Sequence, residues 1–331
     1  MMTSICKEYW QFVLAQGILC GIGMSMLQVS AFAAVSQYFQ RKRAAALGIV
    51  VSGSSIGGIV FPIALSKMLN DSPLSFGWSV RIMAFIVMPF LLFAAATVVP
   101  RLPPRQTQFW IKDAFKEVKY LLVIFCFFLT VIGMLFPSFY LPTYAVSTGM
   151  NPTLASYLLA ILNAASTFGR IIPGIIADKY GRLNVFGLGG LMTGILVLIM
   201  TTVKSTAALV LYAVAFAFFS GTIISGASAA FSVCTDNLQN LGTYMGMGMA
   251  LASTSSLVGP PVDGALFDRY GAFLEPSIFS GVICIIGGLL VFVTKMTTPQ
   301  GLRWGRCRLL AGRLNLWLSC GTVLERGRVV R

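Results

Sequence analysis

Histidine is absent from the 331 residues, and only ten are aspartate or glutamate. Without imidazole the chain lacks the usual neutral-pH proton relay and the commonest zinc ligand. The seven cysteines, at 6, 20, 126, 234, 284, 307 and 320, show neither close pairing nor metal-ligand spacing. Paired acids, a metal cluster or an activated nucleophile do not stand out in the hydrophobic runs, which argues against an intramembrane enzyme. No catalytic residue, cofactor or metal is expected. Charged residues of both signs make up 10% of the chain, against 57% hydrophobic, and mean hydropathy is +0.84. A water-facing surface needs more polar cover than that. The expectation is an all-α integral membrane protein that crosses the bilayer several times.

The balance of charge is one-sided, with a net +14. In a soluble protein this would suggest nucleic acid. In a membrane protein it is mostly the Lys/Arg bias of cytoplasmic loops, so the expected partner is the lipid bilayer and not nucleic acid. Residues 1 to 11 lack a basic stretch followed by an apolar core and cleavage site, so the first apolar run is read as a span rather than a removable signal.

Nine apolar segments are long enough to cross a bilayer as helices: 12–36, 44–68, 79–99, 120–146, 154–177, 184–203, 207–233, 241–266 and 273–296. Their connectors alternate in charge. Arg41-Lys42-Arg43, the stretch from Arg101 to Lys119, and Lys179 with Arg182 fall on one side; the Asp71 loop, the uncharged 147–153 and Lys204 fall on the other. The basic side is assigned to the cytoplasm.

Most of the functional signal lies in residues 163 to 182. Arg170 sits in a strongly apolar helix, about eight residues or roughly 12 Å of helical rise from the charged turn that ends it. A charge at that depth is costly and marks a candidate site facing a bundle interior or aqueous cavity, and arginine holds a carboxylate in two places at once. The alternative is that Arg170 bonds helix-end carbonyls or a neighbouring acid. The turn itself, Gly174-x-x-Ala177-Asp178-x-x-Gly181-Arg182, reads differently. Gly181 permits the reversal, Lys179 and Arg182 mark the cytoplasmic face, and Asp178 is suited to cap a neighbouring helix N-terminus. Such residues latch helices together rather than bind solute.

Further candidates are weaker. Pro137 and Pro142 are expected to interrupt the fourth span where Phe139 and Tyr140 cluster with other aromatics, either lining a cavity or forming an interfacial belt. Gly259-Pro260-Pro261 is expected to break the eighth segment near its outer end, leaving Asp263 on a solvated rim, although Asp263 could instead meet a cation or proton. Arg81 beside Trp78 is explained by snorkelling to the interface.

The chain divides into three spans at 1–99, a cytoplasmic linker at 100–119, six spans at 120–296 and a basic tail at 297–331. In the linker, Trp110, Ile111, Ala114, Phe115 and Val118 recur at helical spacing, as an amphipathic surface helix or an extension of the next span. The tail is either a lipid-touching cytoplasmic segment or the product of a mispredicted reading frame. Short echoes, Ser54-Ser55-Ile56-Gly57-Gly58 with Ser255-Ser256-Leu257-Val258-Gly259 and 30–36 with 226–232, recur at a spacing of about 200 residues and imply two parallel halves with a solute near the midplane.

The Gly174 to Arg182 motif closely resembles the signature loop of the major facilitator superfamily. With Glu8-Tyr9-Trp10-Gln11, Ala15-Gln16-Gly17, Tyr38-Phe39, Arg43-Ala44-x-Ala46-Leu47-Gly48, Ser52-Gly53-Ser54-Ser55-Ile56-Gly57-Gly58, Gly77-Trp78-x-x-Arg81 and residues 163 to 182, the chain resembles the fungal form of the monocarboxylate-transporter branch. The resemblance implies a major facilitator-type helical bundle in which the nine spans match the fourth to twelfth of twelve, the first three being absent. It implies a secondary transporter of a monocarboxylate or related small organic anion, working by alternating access, often as a proton symporter, with the plasma membrane as its address. Arg170 would bind the solute, helped by Asn163, Phe139 and Tyr140; Gly174, Asp178, Lys179, Gly181 and Arg182 would form the conformational latch. Animal members carry an aspartate at the position of Ser166. The alternative is a truncated, non-transporting derivative acting as a sensor or scaffold, or an incomplete gene model.

Overall fold

The computed structural model describes residues 1–99, 110–235 and 237–296, and among them helices are the only regular structure. The basic tail at 297–331 and the first ten residues of the linker lie outside the described residues. A continuous rod, Tyr9–Tyr38, joins α1 (Tyr9–Phe12) to α2 (Cys20–Tyr38) through a π-helical stretch, Val13–Leu19. Then come α3 (Arg43–Asn70), α4 (Phe76–Thr97), α5 (Val118–Ser147), α6 (Pro152–Tyr180), α7 (Arg182–Ile199), α8 (Thr206–Phe231), α9 (Leu238–Ser253), α10 (Ser255–Tyr270) and α11 (Leu274–Met296). The described part of the linker holds a five-residue 3-10 turn, Lys112–Lys116, in place of a longer amphipathic helix, and α5 begins directly after it.

Local chemistry sets the ends. Asn151 precedes Pro152, whose fixed φ starts a helix, and the Asn151 side chain accepts from Thr153 N at 2.9 Å. Ser205 and Asn237 cap α8 and α9 in the same way. Gly181 closes α6 with φ +101°, a backbone that side chains with a Cβ rarely adopt.

Among the described residues, eight helices are long and apolar enough to cross a membrane. The remaining expected segment, 241–266, the eighth in order, is instead two sixteen-residue helices meeting at Thr254. The cause is local: the hydroxyls of Ser253, Thr254 and Ser255 each donate to the carbonyl three residues back, at 2.8, 2.6 and 2.6 Å. They compete with the main-chain ladder at three successive residues. Pro260 and Pro261 lie inside α10, so the expected break at those prolines is corrected to one half a dozen residues earlier. Pro137 and Pro142 likewise leave α5 unbroken.

Helices in lipid gain nothing from hiding apolar surface from water, so close packing and small residues hold them together. The later helices do this well. α11 packs on α7 and α5, and α8 on α6 and α7. One apolar core gathers Tyr120, Phe186, Phe231 and Tyr244 at the end bearing the 178–182 turn, and another gathers Phe136, Tyr144, Tyr212 and Phe216 towards the opposite end. The earlier helices are different. The apolar window of α4 buries nothing inside the protein, and α3 packs more extensively on α6 than on its chain neighbours α2 and α4. The α3–α6 seam therefore joins the early helices to the later ones, and it carries the candidate site.

Candidate functional site

α3 and α6 run antiparallel, so contacts step down one helix as they step up the other. Asn163 faces Gly58, Arg170 faces Ser54 and Val51, Gly174 faces Ala44, and Asp178 faces Ala44 and Ala45. The spacing of 163, 170, 174 and 178 places these four on one helical stripe. Their backbones approach closely at the centre. A Cβ on Gly48 would strike the Arg170 carbonyl, and one on Gly174 would lie 2.8 Å from the Ala44 carbonyl.

Arg170 is buried, as the position of its charge in the sequence suggests. Its Nη1 donates to the Val51 carbonyl at 2.9 Å and to the Ser54 hydroxyl at 2.5 Å, while its Nε is buried with no hydrogen-bond partner. The ion pairs among the described residues are Lys116–Asp113 and Arg182–Asp178, so no carboxylate neutralises Arg170 there. The guanidinium is thus partly bonded to a helix carbonyl and partly open. Ser54 is exposed, so the site opens on that side. Sequence reasoning missed Ser54 and the Val51 carbonyl as partners of the arginine; residues 52–58 entered only through the short internal echo and the family resemblance. At the other neighbour of α6, Thr222 on α8 donates to the Gly169 carbonyl at 3.3 Å, fixing the helix beside the arginine.

Asn163 sits two turns along the same stripe, half-buried, donating to the carbonyls of Leu159 at 2.9 Å and Gly58 at 3.3 Å. Phe139 and Tyr140 make their contacts elsewhere. Phe139 is 62% exposed on α5, and Tyr140 stacks on Phe136 at 5.3 Å and tilts against Phe267 at 6.2 Å. Arg81 bonds the Ser4 hydroxyl at 3.1 Å and lies over the Trp78 ring.

The turn at 178–182 is built around one carboxylate. Lys42 stands at the N-cap of α3 and supplies no side-chain acceptor for the first amides. Asp178 supplies it from another helix: its two oxygens accept from Ala44 N at 3.0 Å and Ala45 N at 2.9 Å. These are the amides an ordinary N-cap side chain would satisfy, and the helix dipole favours the negative charge there. Arg182 approaches Asp178 at 3.7 Å and donates to the Ser232 hydroxyl at 2.8 Å, while Arg43 donates to the Ser232 carbonyl at 3.4 Å. One carboxylate and two arginines thereby tie the ends of α3, α6 and α8. Neither Arg43 nor Ser232 was given a partner from the sequence; Arg43 entered as loop charge and as part of the family resemblance. Lys179 turns outward, over the Tyr180 ring at 5.4 Å.

Asp178→Asn keeps the shape but removes the charge from two amide contacts. It should lower stability by about 1 kcal/mol, the usual worth of a helix N-cap. Thermal unfolding of the purified protein in detergent checks this, and Asp178→Glu should recover less than half of the loss because the longer arm misplaces both oxygens.

Comparison with known proteins fits this arrangement. The family model described as Major Facilitator Superfamily matches residues 1–182 and 123–306. The Aspyridones efflux protein apdF of Emericella nidulans is 44% identical over 301 residues, spanning 91% of this chain and 62% of that protein. The Agnestins efflux protein AgnL12 of Paecilomyces divaricatus is 37% identical over 306 residues, spanning 91% and 69%. The chain thus covers about two thirds of the length of these relatives. Among solved structures, the transporter FucP in its outward conformation superposes with a TM-score of 0.69 at 16% identity, over 88% of this chain and 78% of that one. The human organic anion transporter MFSD10 also gives 0.69, at 14% identity, over 88% and 73%. A helical membrane bundle whose seam is tied by the Gly174 to Arg182 motif, matched by that family model over more than half its length, is a member of the Major Facilitator Superfamily.

Proposed function

We propose that the chain carries a small organic anion across a membrane by alternating access, with Arg170 as the anion's anchor. The observation that carries this reading is a buried guanidinium that has no carboxylate beside it among the described residues, an unpartnered Nε and an exposed residue, Ser54, at its edge. Burying a charge without a counter-ion costs enough that the protein gains by receiving one from solution. Asn163 borders the anchor on the same stripe. Phe139 and Tyr140 belong to the wall at the far end of α5, further from the charge. The latch is Asp178, with Gly174, Gly181 and Arg182 shaping it and Lys179 facing the cytoplasm; it closes one end of the α3–α6 seam and releases when that end opens.

The early helices match spans four to six of a twelve-span carrier, and α5 to α11 supply the later six, with α9 and α10 together making one broken crossing. Two relatives carry the word efflux in their names, which favours export over uptake and a solute broader than a monocarboxylate. The plasma membrane is the address that fits export. The test is flux through liposomes holding the purified chain, using a panel of aromatic and aliphatic carboxylic acids with the corresponding amides. At least one acid should leave the vesicles faster than from protein-free controls while its amide does not. Equal rates for every acid with and without protein would overturn the reading.

A further inference from the structure

The strongest unused feature lies far from Arg170. Asp263 on α10 is fully buried, where the sequence suggested a solvated rim. Its Oδ1 accepts from the Ser280 hydroxyl of α11 at 2.8 Å, and its Oδ2 is buried with no partner. Three helices pack on α10, namely α5, α11 and α9. On α5 the titratable group facing it is Tyr140, whose hydroxyl lies 3.2 Å from the position a Cβ would take on Gly264. On α11 the groups are Glu275, Cys284 and Lys295; Lys295 stands in the last turn, about four turns from Ser280, and the Cys284 thiol is already engaged with the carbonyls of Thr130 and Gly190. The titratable group of α9, Tyr244, is bonded to Glu117. On α10 itself, Asp268 and Arg269 stand more than a turn further on, and Arg269 lies over the Tyr270 ring. No cation therefore faces the carboxyl among the described residues, and the one charge-stabilising donor is a neutral hydroxyl.

An ionised carboxylate in such a place would lack both counter-ion and hydration, which is among the costliest arrangements a fold can contain. A neutral acid costs far less: Oδ1 keeps the Ser280 bond as acceptor, and Oδ2 carries the hydrogen as a buried donor without a partner, a much smaller penalty than that of a bare charge. We infer that Asp263 is a proton-binding site of the α5–α10–α11 cluster, occupied in the packed arrangement and emptied to water when α10 moves away from α11. The step balances simply, since water delivers a proton to the carboxylate on closure and takes it back on opening. In this inference the moving element is α10, a sixteen-residue helix set off from α9 at Thr254. The site stands independently of Arg170, so it survives or fails whether or not an anion is carried there.

Infrared spectroscopy of the purified chain in lipid nanodiscs tests it without any solute. Wild type at neutral pH should show the C=O stretch of one protonated carboxyl that Asp263→Asn lacks, and raising the pH should convert it to a carboxylate band. Ser280→Ala keeps the carboxyl but removes its hydrogen bond, so the same stretch should persist and move to higher frequency. If Asp263→Asn and wild type give the same protonated-carboxyl signal, or if Ser280→Ala leaves its frequency unchanged, the proton is not on Asp263. A carboxylate band in wild type at neutral pH that shifts on adding sodium would overturn the inference in favour of a metal cation.

Discussion

Arg170→Ala should abolish binding of a carboxylate solute while leaving the helices folded. Truncating one member of a buried, hydrogen-bonded charge pair costs about 2 to 5 kcal/mol, or roughly thirty-fold and upwards in affinity. The free protein loses little by the change. Among the described residues Arg170 bonds only the Val51 carbonyl and the Ser54 hydroxyl, and alanine relieves an unpartnered buried Nε. Stability should therefore hold or rise slightly as binding disappears, a combination that a purely structural arginine would not give. Arg170→Lys should not restore affinity, because a lysine lacks the planar fork that engages two oxygens. Ser54→Ala should weaken binding less than either, since it removes only a positioning contact at the open edge. Isothermal titration with the acid identified by the flux panel, beside thermal unfolding of each variant, reads both quantities.

Gly48→Leu should be the most damaging change on the seam. A Cβ there meets the Arg170 carbonyl oxygen, with its carbonyl carbon at 3.3 Å and the Gly174 Cα at 3.7 Å. All three are backbone atoms, so no rotamer change on α6 can make room. Overpacking of this kind costs about 1 to 3 kcal/mol even in cores that can adjust. Here the two helices must separate, which draws the Arg170 guanidinium away from Val51 and weakens the Asp178 bonds to Ala44 and Ala45. Affinity should fall with stability, although Arg170 itself is untouched. Gly53→Leu is the matched control. It lies on the same helix with nothing within 4 Å of its Cβ position, and should change stability by less than about 0.5 kcal/mol. Equal effects at the two glycines would mean that α3 and α6 do not cross as described.

What the sequence disclosed followed from local chemistry. Arg170 stood out because a charge surrounded by isoleucine and phenylalanine is costly wherever it lies, and Asp178 because a carboxylate beside a glycine turn suits a helix N-terminus. The structure supplies the partner that no local pattern names, the bare N-cap of α3 at Lys42 more than a hundred residues earlier. Long-range pairing of this kind leaves no periodic trace. Proline was the misleading signal: Pro137, Pro142, Pro260 and Pro261 all lie inside helices, where neighbouring helices support the backbone, while the real break at Thr254 comes from three adjacent hydroxyls. Asp263 was misplaced for the same reason, since a helix that continues through its prolines carries the carboxyl into the packed interior instead of onto a rim. Phe139 and Tyr140 were grouped with Arg170 on aromatic character alone, and that character does not specify which helix face meets which neighbour.

The central claim is that the charge of Arg170 holds an organic anion. The most direct measurement is equilibrium binding of an organic acid and of its uncharged methyl ester to the purified protein, wild type and Arg170→Ala. The account predicts that wild type binds the acid at least thirty-fold more tightly than the ester, the difference that about 2 kcal/mol supplies, and that the variant loses this preference. Equal affinity for acid and ester in wild type, or a preference that persists in Arg170→Ala, would contradict it.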